Sequence, residues 1–212
     1  MNRLYSYLRV CVLISLGAAC ATAGHGSNVL PKATGSFTRF TAAFVDAREQ
    51  GVDSGWGGFA AVGSRFGDGE ASAEIGQVRF AQSEALELRE GLWAASFNLR
   101  ITSAMVGGRY GVRLGRTDRV RLLFGGMVGF AHVAFSGREI DGEYVYAIKA
   151  SSNGTVWAAD LGVAVAISEK LELNAGYRYV GLGSTEWQVD GEVGRLPQLN
   201  ANIYSVGLGY KW

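Results

Sequence analysis

The chain has 212 residues, 48% of them hydrophobic, with 31 glycines, two prolines, two cysteines and a formal net charge of +1. That length is ample for one domain, and nothing in the composition suggests two. Near-neutral charge excludes a role driven by attraction to nucleic acid, and cysteines confined to positions 11 and 20 leave the body no disulfide to rely on.

Met1 to Ala23 reads as a secretory signal peptide. Arg3 and Arg9 make a cationic start, Val10 to Leu16 is an apolar core, and Ala21-Thr22-Ala23 is a small-x-small cleavage site. The apolar run is shorter than the roughly 20 residues that a membrane-spanning helix needs. Cys20 is a rival processing site, because Leu16 to Cys20 loosely matches a lipoprotein signal, with the leucine one position too distant. Cleavage after Ala23 removes two arginines and no acid, which takes the charge from +1 to −1.

Residues 24–35 read as a periplasmic N-terminal segment. Strand-like segments follow, weakly patterned at first: Phe37 to Val45, Trp56 to Phe66 and Ala71 to Phe80. The last two are joined by Gly67-Asp68-Gly69, a strong hairpin turn signal. Alternation then sharpens. Trp93, Phe97, Leu99, Ile101 and Met105 share one face, opposed by Ser96, Asn98, Arg100 and Thr102. After Met105 the apolar phase passes to Tyr110, Val112 and Leu114, and Gly107-Gly108 is the expected site of a bulge that absorbs the slip. Val120, Leu122, Phe124, Val128 and Phe130 form the next apolar face, opposed by Arg121, Gly125, Met127 and Gly129. Trp157 to Ile167 and Leu171 to Tyr179 alternate in the same manner, as does Tyr204 to Trp212.

Eight strands result. Gly67 to Gly69, Gly115 to Arg119 and Ser168 to Lys170 are short connections. Asp46 to Gly55, Gln82 to Leu92, Ser136 to Thr155 and Leu182 to Gln198 read as long polar loops. Short turns alternating with long loops, and an even strand count, are what a bacterial transmembrane barrel requires. No backbone edge can stay open in hydrocarbon, so the sheet must close on itself. The fold class is therefore all-β: a transmembrane, antiparallel, eight-stranded up-and-down barrel over residues 36–212 in the bacterial outer membrane. Both termini fall on the periplasmic side.

A secreted lipocalin-like barrel is the competing architecture, but its apolar residues would line a cavity. The inward phase inferred here is glycine, alanine, serine, asparagine and charges. Aromatics group near the strand ends, Trp212 and Tyr210 at one and Trp93, Trp157, Tyr177 and Tyr179 at the other, like two interfacial girdles.

The closing strand, with Tyr204, Val206, Gly207, Leu208, Tyr210 and Trp212, resembles the C-terminal assembly signal of outer-membrane barrels. Ala73-Glu74-Ile75-Gly76 and Gly125 to Phe130 are similar to segments of the small eight-stranded family of OmpA-like, OmpX-like and Opa-like barrels. The resemblance implies insertion by the barrel assembly machinery and a setting of outer-membrane lipid and lipopolysaccharide. It does not imply one activity, since that family hosts adhesins, anchors, channels and enzymes.

The assigned phases send Glu74, Arg100, Arg109, Arg121, Asp160, Glu172, Arg178 and Lys211 into the lumen. Residue counting puts Glu74, Arg121, Glu172 and Lys211 near the periplasmic end, and Arg100, Asp160 and Arg178 nearer the outside. An eight-stranded interior is just wide enough for side chains to fill. Opposite charges there should pair into a network, because an unpaired charge in a low dielectric is costly. A conduction path is the alternative. Lipid A chemistry would need a nucleophilic hydroxyl beside a histidine base. His25 lies beside the cleavage site, and His132 stands four residues from Ser136, roughly 13 Å in an extended strand. No His/Cys/Asp cluster has metal-ligand spacing, so no catalytic residue, metal or cofactor is assigned. The loops are rich in acids interleaved with arginine and lysine, with Trp187 and Tyr144-Val-Tyr146 among them. That is suited to a host or phage ligand, or to cation bridges with lipopolysaccharide, though also to ordinary solvated polarity. The expected role is structural or surface-interacting through these loops, with a small channel or a lipid A-modifying enzyme as alternatives.

Overall fold

The computed structural model describes residues 33–47, 54–88, 91–115, 119–141, 144–189, 192–196 and 198–212. The expected signal peptide at 1–23 and most of the expected periplasmic segment at 24–35 lie outside the described residues. Eight antiparallel strands close into a barrel: β1 (Gly35–Asp46), β2 (Gly55–Phe66), β3 (Gly69–Leu88), β4 (Gly91–Leu114), β5 (Val120–Asp141), β6 (Tyr144–Ala166), β7 (Leu171–Leu182) and β10 (Leu199–Lys211). A separate hairpin, β8 (Thr185–Val189) with β9 (Glu192–Leu196), lies between β7 and β10 in sequence. Each barrel strand pairs with the next one along the chain, and β1 closes on β10 from Phe37↔Lys211 to Asp46↔Asn202. Beyond the last ladder pairs, Ser36 and Trp212 exchange backbone hydrogen bonds of 3.0 and 3.2 Å, so the seam is sealed to its end.

The turns follow local chemistry. Gly67 has φ +64° and Gly115 φ +81°, a left-handed backbone that costs glycine nothing. The Ser168–Lys170 turn is fastened by the Leu171 N–H, which donates to Ser168 Oγ at 3.0 Å.

Side chains in the turn-proximal half are inverted relative to a soluble protein. Phe40, Val62, Ile75, Phe124, Val128, Leu161, Val206 and Leu208 stand exposed on the outer wall, while charged residues fill the lumen. Such an exterior is stable only in hydrocarbon. Farther from the turns the polarity reverses. Val78, Phe80, Met105, Val133, Val156, Leu182, Leu199 and Ile203 are buried inside, and Leu99, Ile101 and Val180 pack against them. On the outside at that level stand Arg79, Asn98, Arg100, Thr102 and His132, all exposed. Leaving the bilayer, each strand meets water and reverts to the usual arrangement, apolar in and polar out.

This reversal corrects the expected phase of β4. The ladder from Trp93↔Asp141 to Leu114↔Val120 is continuous, and no bulge occurs at Gly107-Gly108. Leu99, Ile101 and Met105 face inward, and Arg100 points outward. The apparent slip in the pattern is the membrane boundary. Trp93, aligned with Asp141 far beyond that boundary, does not belong to an interfacial girdle. Nor is the inward face polar throughout: its outer half is an apolar layer enclosing a cavity of about 50 Å³.

Three expected loops are largely strand, Leu182 to Gln198 because it holds the separate β8–β9 hairpin. β3 and β4 pair up to Leu88↔Gly91, and β5 and β6 up to Asp141↔Tyr144. By contrast β1, β2, β7 and β10 have only 12 or 13 residues each. The described residues within 82–92 and 136–155 thus form a four-stranded wall rising from one side of the barrel.

Single cysteines report the β4 phase directly. With Cys11 and Cys20 changed to serine, Arg100→Cys is expected to react quickly with a membrane-impermeant maleimide, and Leu99→Cys at least about tenfold more slowly, since its inward, partly buried position restricts thiol access. Faster labelling at position 99 would restore the opposite phase.

Candidate functional site

The densest polar chemistry lies inside the turn-proximal half of the barrel, in two layers. Alternation along the strands aims Arg39 (β1), Arg65 (β2), Glu70 (β3), Arg121 (β5), Glu172 (β7) and Lys211 (β10) at one level, nearest the turns. Glu172 is the hub. It accepts from Arg65 Nη2 at 3.0 and 3.2 Å and from Arg121 Nη2 at 2.8 Å, with Lys211 Nζ at 3.4 Å. Glu70 is the second anion, accepting from Arg39 at 2.8 Å, Arg65 Nε at 3.0 Å and Arg121 at 3.1 Å. Both carboxylates are only 2% exposed at the side chain, so their charges are neutralised by arginine rather than by water.

The second layer centres on Arg178 of β7. Its guanidinium donates to both carboxylate oxygens of Glu74 and to Asp160, with Nε 2.5 Å from Asp160 Oδ1. Arg109 Nε reaches the other Asp160 oxygen at 3.1 Å. Bidentate pairing suits the planar guanidinium fork and adds geometric specificity. Phe59 caps this layer, its ring 5.2 Å from Arg178 Cζ, and Phe37 lies 4.9 Å from Arg39 Cζ. Gly76 gives Phe59 its room: a Cβ there would overlap the ring. Above Phe59 the apolar layer begins.

Seven of the eight residues assigned to the lumen therefore lie in these clusters. Glu74, expected near the turns with Arg121, Glu172 and Lys211, belongs instead with Arg178 and Asp160. Arg100 does not belong at all, because β4 runs without a slip and places it on the outer wall. Arg39, Arg65 and Glu70 were not singled out from the sequence. Glu70 shares the phase of Glu74, a signal that was available, whereas β1 and β2 alternate too weakly to aim their arginines.

The layers cross the lumen from wall to wall. A cavity of about 40 Å³ lies beside them, lined in part by Arg39, Asn174 and Arg178. Arg39 Nε and Asn174 Oδ1 are buried with no hydrogen-bond partner among the described residues. Six cationic side chains meet four carboxylates in these pairs, an excess of two positive charges. Among the described residues no group of histidine, cysteine and carboxylate side chains could hold a metal. His132, on the outer wall, places Nδ1 2.9 Å from Asn153 Oδ1. Ser136 is exposed on the same face and is aligned with Lys149.

The model of the family described as "Outer membrane protein beta-barrel domain" matches residues 11–211. No curated protein matches the chain. Among solved structures it is similar to a major outer membrane protein from Thermus thermophilus, at 14% identity over 84% of this chain and 100% of that one, with a TM-score of 0.50. It is also similar to Neisserial surface protein A, at 18% identity over 85% and 99% of the two chains, with a TM-score of 0.48. A third is Ail, the attachment invasion locus protein of Yersinia pestis, in complex with the heparin analogue sucrose octasulfate, at 16% identity over 84% and 97%, with a TM-score of 0.46. These likenesses concern the fold. The family match spans most of the chain: it belongs to the outer membrane protein beta-barrel domain family, and its place is the bacterial outer membrane.

Glu172→Gln tests the hub. It leaves Arg65, Arg121 and Lys211 facing a neutral amide in a buried site, and the expected loss of folding stability in phospholipid vesicles is about 3–5 kcal/mol. Arg121→Gln with Glu172→Gln should cost less than the sum of the two single changes. Additive effects in urea titrations would mean that the pair is not coupled.

Proposed function

We propose that this member of the outer membrane protein beta-barrel family is a non-enzymatic surface protein whose working part is the sheet projecting beyond the membrane. One observation carries this reading: β3 to β6 continue in unbroken register for several residues past the ends of their shorter neighbours. A continuous ladder is more rigid than free loops, and it presents a fixed face to an external partner. The β2 ladder ends at Gly55↔Phe80, so β3 from Ala81 to Leu88 pairs only with β4 among the described residues. An unpaired edge offers backbone N–H and C=O groups in a row, the chemistry by which extended segments of a host or phage protein add to a sheet. On the far side, β8–β9 approaches β6, where Ser152 Oγ donates to the Glu186 carbonyl at 2.5 Å.

The ion-paired layers support this reading over a small channel, since a permeating ion would have to part arginine–carboxylate bonds in the lumen. The engagement of His132 with Asn153 rather than with a serine supports it over lipid A chemistry. The closing strand is proposed to serve recognition by the barrel assembly machinery as well. Its Tyr204, Val206, Leu208 and Tyr210 side chains face outward, Trp212 is exposed, and Gly207 is buried beside Thr41.

Removal of residues 136–149 tests the surface role, with the strands rejoined through an Asn-Gly turn at the Phe135↔Ala150 pair. The trimmed protein should still migrate differently before and after boiling, while adhesion, phage adsorption or serum survival of the cells changes. An unaltered phenotype in all three would remove the surface role. In planar bilayers the intact protein should be silent, and discrete conductance steps would favour the channel.

A further inference from the structure

The outer wall carries a pair of cations that the lumen network does not use. Arg79 on β3 and Arg100 on β4 are direct cross-strand partners, both exposed and both facing outward. Neither has a carboxylate partner among the described residues. Cβ atoms of opposed residues in such a ladder lie about 4.5–5.5 Å apart, and like charges there are destabilising unless something bridges them. Arg79 is nevertheless held in place. Its Nε and Nη2 donate to Gln77 Oε1 at 3.2 and 3.1 Å, and Gln77 Nε2 donates in turn to Thr102 Oγ1 at 3.2 Å.

The height of the pair on the wall matters as much as its charge. Next to Arg79 on its other side is Trp56, 70% exposed, an aromatic of the kind that marks the membrane–water boundary. Four residues toward the turn, Ile75 is 64% exposed and stands in the apolar band. Arg79 and Arg100 therefore sit at headgroup level, where the outside of the barrel changes from hydrocarbon to water.

Directly below them the wall is hollow. A shallow, nearly wholly apolar trough of about 910 Å³ has Gln77 and Thr102 at its upper lip. Gly58 and Ala60 form its floor, and Phe40, Ile75 and Leu208 its sides. Small residues on the floor recess the wall, and the Gln77–Thr102 bond joins the recess to the paired arginines. An apolar hollow and a dicationic rim at adjoining heights match a molecule with acyl chains below and a phosphate above.

We propose that this site binds one phosphorylated acyl lipid of the outer leaflet, the lipid A part of lipopolysaccharide. The phosphate bridges Arg79 and Arg100, and an acyl chain lies in the trough past Gly58 and Ala60. Guanidinium groups bind phosphate through paired N–H donors, and the bridging anion removes the like-charge repulsion. The site goes beyond the projecting sheet and stands whether or not that sheet binds a partner.

The test uses the full-length protein in nanodiscs of phosphatidylcholine doped with lipid A, with retained lipid counted by native mass spectrometry after extraction in mild detergent. One retained lipid A per barrel is expected. Arg79→Gln with Arg100→Gln should weaken retention by about tenfold or more, the loss of one or two charge-assisted hydrogen bonds. Arg79→Lys with Arg100→Lys keeps the charge and should retain an intermediate amount. Gly58→Leu fills the trough at a position where a Cβ meets only the Thr41 carbonyl, at 3.4 Å. It should weaken lipid A retention while leaving binding of the deacylated, phosphorylated headgroup unchanged. Boiled and unboiled migration confirms that each variant is folded. Retention by the double glutamine variant equal to that of the parent overturns the proposal. So does displacement of the bound lipid by inorganic phosphate alone, which would make the arginines a simple anion site.

Discussion

Closure of the sheet is the constraint on which everything else here depends. In hydrocarbon an open strand edge would leave backbone donors and acceptors unpaired at several kcal/mol each. The chain satisfies them by bringing β1 against β10, from residues near the start of the described chain to its last, with Ser36 and Trp212 completing the seam. A closed cylinder of eight strands leaves an interior only as wide as a few side chains. What fills that interior, and what coats its outside, follows from the solvent on each side.

Inside the membrane-spanning half, charged residues are tolerated because each has an opposite partner at hydrogen-bond distance. Glu172 and Glu70 each serve several cations, and Arg178 clamps Glu74 while also reaching Asp160. Removing Glu70 or Glu172 would leave buried cations with less compensating charge, and the network ties opposite walls of the barrel together. Cross-links between β3 and β7, and between β2 and β7, span the lumen rather than neighbouring strands. Phe59 separates these layers from the apolar one. The same cylinder thus holds ion-paired layers in lipid and a hydrophobic core in water.

The projecting sheet and the outer-wall arginines are two consequences of one asymmetry. Four strands run past the boundary and four stop near it, so one side of the barrel becomes a wall and the other a rim. At the boundary itself the outer surface must change chemistry within two or three residues of each strand. On β3 that change runs from Ile75 through Gln77 to Arg79, which is how a cation comes to stand above an apolar trough.

Period-two alternation, the turn residues and the even barrel count follow from local chemistry, so class, the number of barrel strands and compartment were legible from residue order alone, whereas the β8–β9 hairpin was not. So were the inward residues of β6, β7 and β10, where the apolar face is unbroken. Alternation does not say which face is inside; that depends on the medium outside, which changes along a single strand. This is why Leu99, Ile101 and Met105 read as lipid-facing and Arg100 as lumenal. It is also why a boundary resembled a bulge. Pairing across the lumen, such as Arg65 with Glu172 or Arg178 with Glu74, joins residues about a hundred positions apart, and only the curvature of the closed sheet brings them together. The extent of the wall likewise belonged to tertiary structure, because polar, charged segments can be loop or paired strand, and neighbouring strands decide which.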